Sequence, residues 1–295
     1  MKLFDSHAHV DGPEFDADRD DVLARARAAG VARIVVIGAV GDPASAERAV
    51  ALAERYSRSD ELAVGRSSWA ERYSRSDELA VGRSSWSERD PEIWATVATH
   101  PHDVVQMTRA WWDVHERLAR HPRVVAIGET GLDYYYDHSP RDQQAAAFRR
   151  FVELARAVNK PVVCHIRDAH EDARAILRDT RAAELGCVIH CFTGTPDDAR
   201  AYAEMGCYVS FSGIVTYKSA QPLRDSVPLV PRDRLLIETD CPYLSPEPVR
   251  GRRRNEPAHI VHTAIVVARC AGAEPEQLAA VTYDNACRVY RLNPP

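Results

Sequence analysis

The sequence predicts an α/β fold of the (β/α)8 TIM-barrel type. Eight short apolar runs alternate with segments of helical periodicity along the 295 residues, and several runs end at an ionisable residue. Repeated strand–helix units favour a parallel sheet, and eight units are the number that closes a barrel. An open, doubly wound sheet is the competing architecture.

The predicted strands are short, as is usual for buried strands of a parallel sheet. They are Leu3–Phe4, Ile34–Ile37, Trp94–Val97, Val124–Ile127, Val162–Cys164, Val188–Ile189, Tyr208–Phe211 and Leu235–Ile237. A helix is predicted over 18–29. The clearest helix start has Ser139 at the N-cap, Pro140 at the first helical position and Asp142 three residues after the cap.

Composition limits the class of protein. A net charge of −5 excludes a protein held to nucleic acid by bulk charge, so any such contact needs a local basic patch. No targeting segment or membrane span is apparent, which predicts a cytoplasmic protein without a membrane partner. Seven cysteines without a CxxC pair argue against a disulfide framework. We expect one domain over 1–295 and a monomer.

One segment is duplicated exactly. The sequence AERYSRSDELAVGRSSW occupies 53–69 and is repeated without change at 70–86. Two copies cannot build a solenoid, which needs three or more stacked units. We therefore predict a tolerated insertion at 53–86 between the second helix and the third strand, on the face opposite the active site, because longer loops cost little entropy.

Potential metal ligands follow the apolar runs. His7 and His9 are two residues apart, so on a strand both side chains point to the same side and can chelate one ion. Further ionisable residues stand where later strands meet their loops, and a barrel gathers such strand ends around one axis. The complete predicted set of metal ligands is His7, His9, Glu129, His165, His190 and Asp240.

These residues lie in stretches that resemble the TatD-type metal-dependent hydrolases and deoxyribonucleases, within the amidohydrolase-like barrel group. The matching stretches run in order along the chain, and only the duplicated segment lacks a counterpart. They are FDSHAHVD (4–11), THPHD (99–103), IGETGLDYYY (127–136), KPVVCHIRDA (160–169), IHCFTG (189–194), LLIETDCPYL (235–244) and RRNEP (253–257).

The resemblance implies two divalent ions that share Glu129 as a bridging ligand. The first ion would also be held by His7, His9 and Asp240, and the second by His165 and His190. Imidazoles and carboxylates accept Zn²⁺, Mn²⁺ or Mg²⁺, so the native metal stays open. Glu129 and Asp240 are the predicted catalytic residues, with Asp240 as the acceptor of a proton from the attacking water.

Two functions are compatible with this ligand set. Two adjacent ions suit phosphodiester hydrolysis by in-line displacement. The resemblance implies a deoxyribonuclease, specifically a 3′→5′ exonuclease acting on single-stranded DNA or 3′ ends. The alternative is hydrolysis of a carboxylic ester, lactone or amide at the same centre. A catalytically silent binding protein is disfavoured, because all six ligand positions are intact.

Candidate substrate-binding residues surround the predicted centre. His100, Arg167, Arg253 and Arg254 could contact a phosphate, the arginines as bidentate donors. His102 is more simply a loop histidine in solvent. Tyr134–Tyr136 follow Glu129 and could either stack on a base or pack against the barrel rim. Glu256 and Asn285 are expected to have structural roles.

Overall fold

Eight parallel strands form one sheet, hydrogen-bonded in the order in which they occur in the sequence. The computed structural model describes residues 1–57, 91–251 and 254–293. The strands are β1 Leu3–Ala8, β2 Val31–Gly38, β3 Glu92–Val97, β4 Val124–Asp133, β5 Val162–Arg167, β6 Cys187–Ile189, β7 Tyr208–Phe211 and β8 Leu235–Ile237. This sequential order confirms the predicted barrel and contradicts the doubly wound alternative, in which the strand order reverses.

The seam between β8 and β1 closes the sheet. The Ser6 hydroxyl donates to the carbonyl of Ile237 at 3.0 Å. Beyond β8, the Asp240 N–H donates to the His7 carbonyl at 3.0 Å, and the His9 N–H donates to the Cys241 carbonyl at 2.8 Å. The segment that carries Asp240 is therefore fixed directly to the strand that carries the two histidines.

Helices cover the outside of the sheet. They are α1 Arg19–Ala28, α2 Ala44–Arg55, α3 Arg109–Leu118, α4 Arg141–Val158, α5 His170–Asp179, α6 Pro196–Glu204, α7 Gln221–Ser226, α8 Ile260–Cys270 and α9 Pro275–Val289. Each longer helix buries an apolar face, as Phe148, Phe151 and Val152 of α4 illustrate. Asn285 of α9 donates to the carbonyls of Arg232 and Leu235, which anchors this helix beneath β8.

The start of α4 differs from the prediction by one residue. The helix begins at Arg141 with Pro140 in the N-cap position, and Ser139 does not cap it. The Ser139 hydroxyl instead donates to the His102 carbonyl at 2.8 Å and accepts the Val105 N–H at 3.0 Å. A tertiary contact between two loops of the barrel mouth has replaced the local capping interaction that the sequence suggested.

A buried ion network lies at the opposite end of the barrel from the predicted ligands. Arg33, near the start of β2, donates from Nε to Glu92 Oε2 at 2.8 Å. Arg123 Nη1 lies 3.5 Å from Glu92 Oε1, and its guanidinium stacks on Trp94 at 4.4 Å. All three charged side chains are almost fully buried. Charges removed from water in this way depend on their partners.

The duplicated segment is described only at its start. Helix α2 ends at Arg55, so the first three residues of the repeat belong to its last turn, and β3 begins at Glu92. Residues 58–90, with the rest of the repeat, lie outside the described residues. The single-domain division and the insertion therefore stay predictions. Among the described residues, no helix combines the length and apolar character needed to cross a membrane.

Candidate metal centre

His7 and His9 converge with Asp240 at the mouth of the barrel. The two Nε2 atoms are 3.3 Å apart, and Asp240 Oδ1 lies 3.5 Å from His7 Nε2 and 3.4 Å from His9 Nε2. Ligand atoms bound to one ion at about 2.0–2.2 Å are separated by roughly 3–3.5 Å. The triangle therefore fits a divalent cation, and both histidines are buried.

Glu129 occupies the middle of the centre. Its Oε2 lies 3.4 Å from His7 Nε2, whereas its Oε1 lies 2.7 Å from both His165 Nδ1 and His190 Nε2. One carboxylate thus presents one oxygen to the first histidine group and the other to the second. This is the arrangement that a bridging carboxylate needs, and it agrees with the role implied by the resemblance.

The second group contains one residue more than predicted. His165 Nδ1 and His190 Nε2 are 3.3 Å apart, and His100 Nε2 lies 3.3 Å from His165 Nδ1 and 3.4 Å from Glu129 Oε1. We predicted His100 as a substrate contact, but its geometry also makes it a potential ligand together with Glu129 and His165. The ring of His190 stacks on that of His7 at 3.8 Å, which joins the two groups.

The carboxylates of the centre are held in the anionic form, and its histidines divide into two groups by the direction of their pKa shifts. Burial raises the pKa of Glu129, but the imidazoles of His190 and His100 outweigh burial and hold it well below its ordinary value. Burial also raises the pKa of Asp240, and its contact with His9 reverses the effect. Burial lowers the pKa of His7, and that of His100 to about 4. Contacts with carboxylates outweigh burial and raise the pKa of His9, His165 and His190, so at these three imidazoles a metal ion competes with a proton.

Two carboxylates behind the centre were missed from the sequence. Asp133 Oδ2 lies 3.0 Å from His165 Nε2 and 2.8 Å from His102 Nε2. Glu238 Oε1 lies 3.3 Å from His190 Nδ1 and accepts the Cys191 N–H. Carboxylates on the second nitrogen of a ligating histidine fix its tautomer and its orientation. The only indication in the sequence was their position beside predicted ligands. Asp133 lies in GLDYYY, after Glu129, and Glu238 lies in ETD, before Asp240.

Asp133→Asn is expected to weaken metal binding and hydrolysis about 10- to 100-fold, the usual cost of losing such a partner. The amide keeps the size of the carboxylate but not its charge. Metal affinity by titration calorimetry and kcat/KM by hydrolysis would measure the effect. Asp179→Asn, an exposed carboxylate at the end of α5, is the control. Equal affinities in the two variants would show that Asp133 does not position His165.

The remaining predicted substrate contacts have distinct surroundings. His102 is not simply in solvent, because it bonds to Asp133 and its side chain is 27% exposed. The Arg167 guanidinium lies 4.8 Å from the Tyr135 ring centre. Arg254 pairs with both carboxylate oxygens of Asp18, at 2.8 and 2.7 Å. Arg253 lies outside the described residues. The roles of these arginines at a phosphate stay predictions.

The RNEP segment is fixed beside the centre by its other residues. Asn255 Nδ2 donates to the carbonyls of Thr239 and Tyr243, on either side of Asp240 in the sequence. Glu256 accepts three bonds from Arg25 of α1, at 3.0, 3.2 and 2.7 Å. The loop after β8 is thereby tied to α1, in agreement with the structural role expected for Glu256.

The whole chain matches a known family. The model of the family described as "TatD related DNase" matches residues 4–291. The chain belongs to the TatD family. An "Uncharacterized metal-dependent hydrolase YabD" from Bacillus subtilis is 38% identical over 291 residues, with 99% of this chain and 100% of that protein aligned. This TatD-family member is a metal-dependent hydrolase that acts on ester bonds, with histidine and carboxylate clusters that could hold the metal.

Other relatives carry a more specific name. A "3'-5' ssDNA/RNA exonuclease TatD" from Enterobacter lignolyticus is 34% identical over 287 residues, covering 96% of each chain. Among solved structures, the TatD homologue YjjV from Escherichia coli superposes with a TM-score of 0.80 at 24% identity, covering 99% of this chain and 98% of that chain. That similarity supports the barrel fold of the TatD-family enzyme.

Proposed function

We propose that this TatD-family hydrolase is a nuclease that removes nucleotides from 3′ ends of single-stranded DNA, with two divalent ions at its centre. One ion is assigned to His7, His9 and Asp240, and the other to His165 and His190, with Glu129 between them. The identity of the ions, Mg²⁺, Mn²⁺ or Zn²⁺, is part of what the experiment measures.

The position of Glu129 supports a two-ion centre. Its two oxygens face different histidine groups, at 3.4 Å on one side and 2.7 Å on the other. A centre for one ion would not need a carboxylate directed both ways. The exonuclease name of a relative that is 34% identical supports a nucleic-acid substrate. The monomeric state of the protein and its location in the cytoplasm stay predictions.

The residues of the chain determine how substrate and protons are handled. Two ions, when bound, supply charge stabilisation for the attacking and leaving oxygens of a phosphodiester. Asp240 is held anionic at the mouth, where it can accept the proton of an attacking water. Burial lowers the pKa of His100 to about 4, and its Nδ1 accepts the His102 N–H, so its Nε2–H can donate to a phosphate oxygen without adding a charge.

The direct test is an assay of protein loaded in turn with Mn²⁺, Mg²⁺ or Zn²⁺. One substrate is single-stranded DNA labelled at its 3′ end, and the others are simple carboxylic esters, a lactone and an amide. Release of the 3′-terminal nucleotide as a labelled mononucleotide is expected in the first step, with two ions per chain by elemental analysis. Hydrolysis of the carbonyl substrates alone would replace the nuclease proposal with the alternative hydrolase.

Asp240→Asn is expected to abolish release of nucleotides while the fold persists, because the amide cannot accept a proton and is a weaker ligand. Circular dichroism and a melting curve would verify the fold, and the labelled-strand assay would measure turnover. Asp179→Asn is the matched control on the outer surface. Full turnover in the Asp240 variant would remove this carboxylate from the proposed chemistry.

A further inference from the structure

Three tyrosine rings are exposed at the mouth of the barrel. Tyr135, Tyr136 and Tyr243 are 57%, 55% and 51% exposed. Large aromatic rings left in water without a structural reason are uncommon, and a group of them beside a cleft points to a ligand. All three follow strands that carry residues of the candidate centre.

Tyr243 stands on the side of His9. It follows Asp240 by three residues, and its ring lies edge-on to His9 with the ring centres 6.1 Å apart. The Tyr243 N–H donates to the Asp240 carbonyl at 3.0 Å, and its own carbonyl accepts Asn255 Nδ2 at 2.7 Å. The backbone of this residue is therefore held, although its ring is in solvent.

Tyr135 and Tyr136 stand on the side of His165. Their N–H groups both donate to Asp133 Oδ1, at 3.0 and 2.8 Å, and the other oxygen of this carboxylate contacts His165. The Tyr136 ring lies edge-on to His102 at 5.3 Å. The Arg167 guanidinium covers Tyr135 at 4.8 Å, which places a fixed positive charge beside these rings.

The two groups of rings follow strands on opposite sides of the barrel. Tyr243 follows β8, whereas Tyr135 and Tyr136 follow β4, and the eight strands are neighbours in sequential order. Strands four places apart in a closed barrel of eight lie on opposite sides of its axis. The carboxylates of Glu129 and Asp240 lie between the two sides, because the ligand groups meet at the axis.

We propose that these rings bind the bases of the two nucleotides on either side of the phosphodiester that is cleaved. Tyr243 stacks on one base and Tyr136 stacks on the other, with Tyr135 perpendicular to Tyr136 beside it and Arg167 on the adjoining phosphate. The rings select an unpaired strand, because the base faces of a duplex are already stacked on their neighbours, whereas unpaired bases offer theirs to aromatic side chains. The inference rests on the proposed nuclease function.

The test uses the full chain loaded with Mn²⁺ and two matched substrates. One is the thymidine dinucleotide, and the other has the same sugars and phosphodiester but no bases. Tyr243→Ala and Tyr136→Ala are expected to raise KM for the dinucleotide about tenfold, within the range of one base stack, and to leave the abasic substrate unaffected. Tyr243→Phe, which keeps the ring, should behave like the unaltered protein.

A binding measurement makes the test independent of turnover. The dissociation constant of labelled oligothymidine for the metal-free full chain, by fluorescence anisotropy, should rise about tenfold in each alanine variant. It should stay constant in Ile265→Ala, which removes an exposed apolar side chain of α8. Unchanged KM and affinity in the alanine variants, or equal losses on the abasic substrate, would overturn the base-stacking proposal while leaving the nuclease intact. Failure of the unaltered protein to cleave either substrate would instead reject the nuclease function.

Discussion

Glu129→Gln is expected to reduce hydrolysis by about 10³-fold or more, because it removes the carboxylate charge that both ligand groups share. The carboxylate is buried and lies within 3.4 Å of four histidine rings. A charge shared by both ligand groups contributes several kcal/mol at this centre, and each 1.36 kcal/mol corresponds to a factor of ten in rate. Turnover on the labelled strand and the number of ions per chain would measure both consequences.

The control for this variant is Glu153→Gln, which makes the same change on the exposed face of α4. Both proteins should have the same circular dichroism spectrum, because glutamine keeps the shape of glutamate. A Glu129 variant that binds two ions and turns over at the rate of the control would rule out the bridging role.

Glu92→Ala is expected to lower the free energy of unfolding by about 3–5 kcal/mol, the cost of leaving a buried charge without its partner. Arg33 loses a bond of 2.8 Å, and Arg123 loses a neighbouring carboxylate at 3.5 Å. Because the network lies at the end of the barrel away from the metal ligands, kcat of the folded fraction should change little. Urea unfolding of the metal-free protein would give the free energy.

Asp179→Ala provides the comparison for Glu92→Ala. Asp179 pairs with Arg149 at 2.9 Å, but both side chains are largely in water. Exposed pairs of this kind contribute about 0–1 kcal/mol. If the Glu92 and Asp179 variants had the same free energy of unfolding, water or a structural rearrangement would have replaced the lost carboxylate as the partner of Arg33 and Arg123.

The barrel, and the convergence of the candidate ligand residues at its mouth, were predictable because they depend on regular spacing. Eight apolar runs gave the eight strands, and an ionisable residue at the end of a parallel strand had to lie at the mouth. His7 and His9 face the same way because a strand alternates its side chains. These inferences need only the position of a residue within its strand.

Contacts between distant segments were not predictable in this way. Ser139 was expected to cap α4, but it bonds instead to the loop after β3. Asp133 was missed because its importance comes from the second nitrogens of His102 and His165, which no spacing reveals. Arg254 was predicted to contact a phosphate, and only the fold shows that it pairs with Asp18.

The hydrogen bonds that seal β8 against β1 also set the position of the first candidate ion. His7 and His9 come from the first strand of the chain, and Asp240 comes from the segment after the last one. A cation bound by all three would link the first strand of the sheet to the segment after the last strand. Binding of the cation would then raise the free energy of unfolding by heat or urea, because a ligand bound only by the native state stabilises that state.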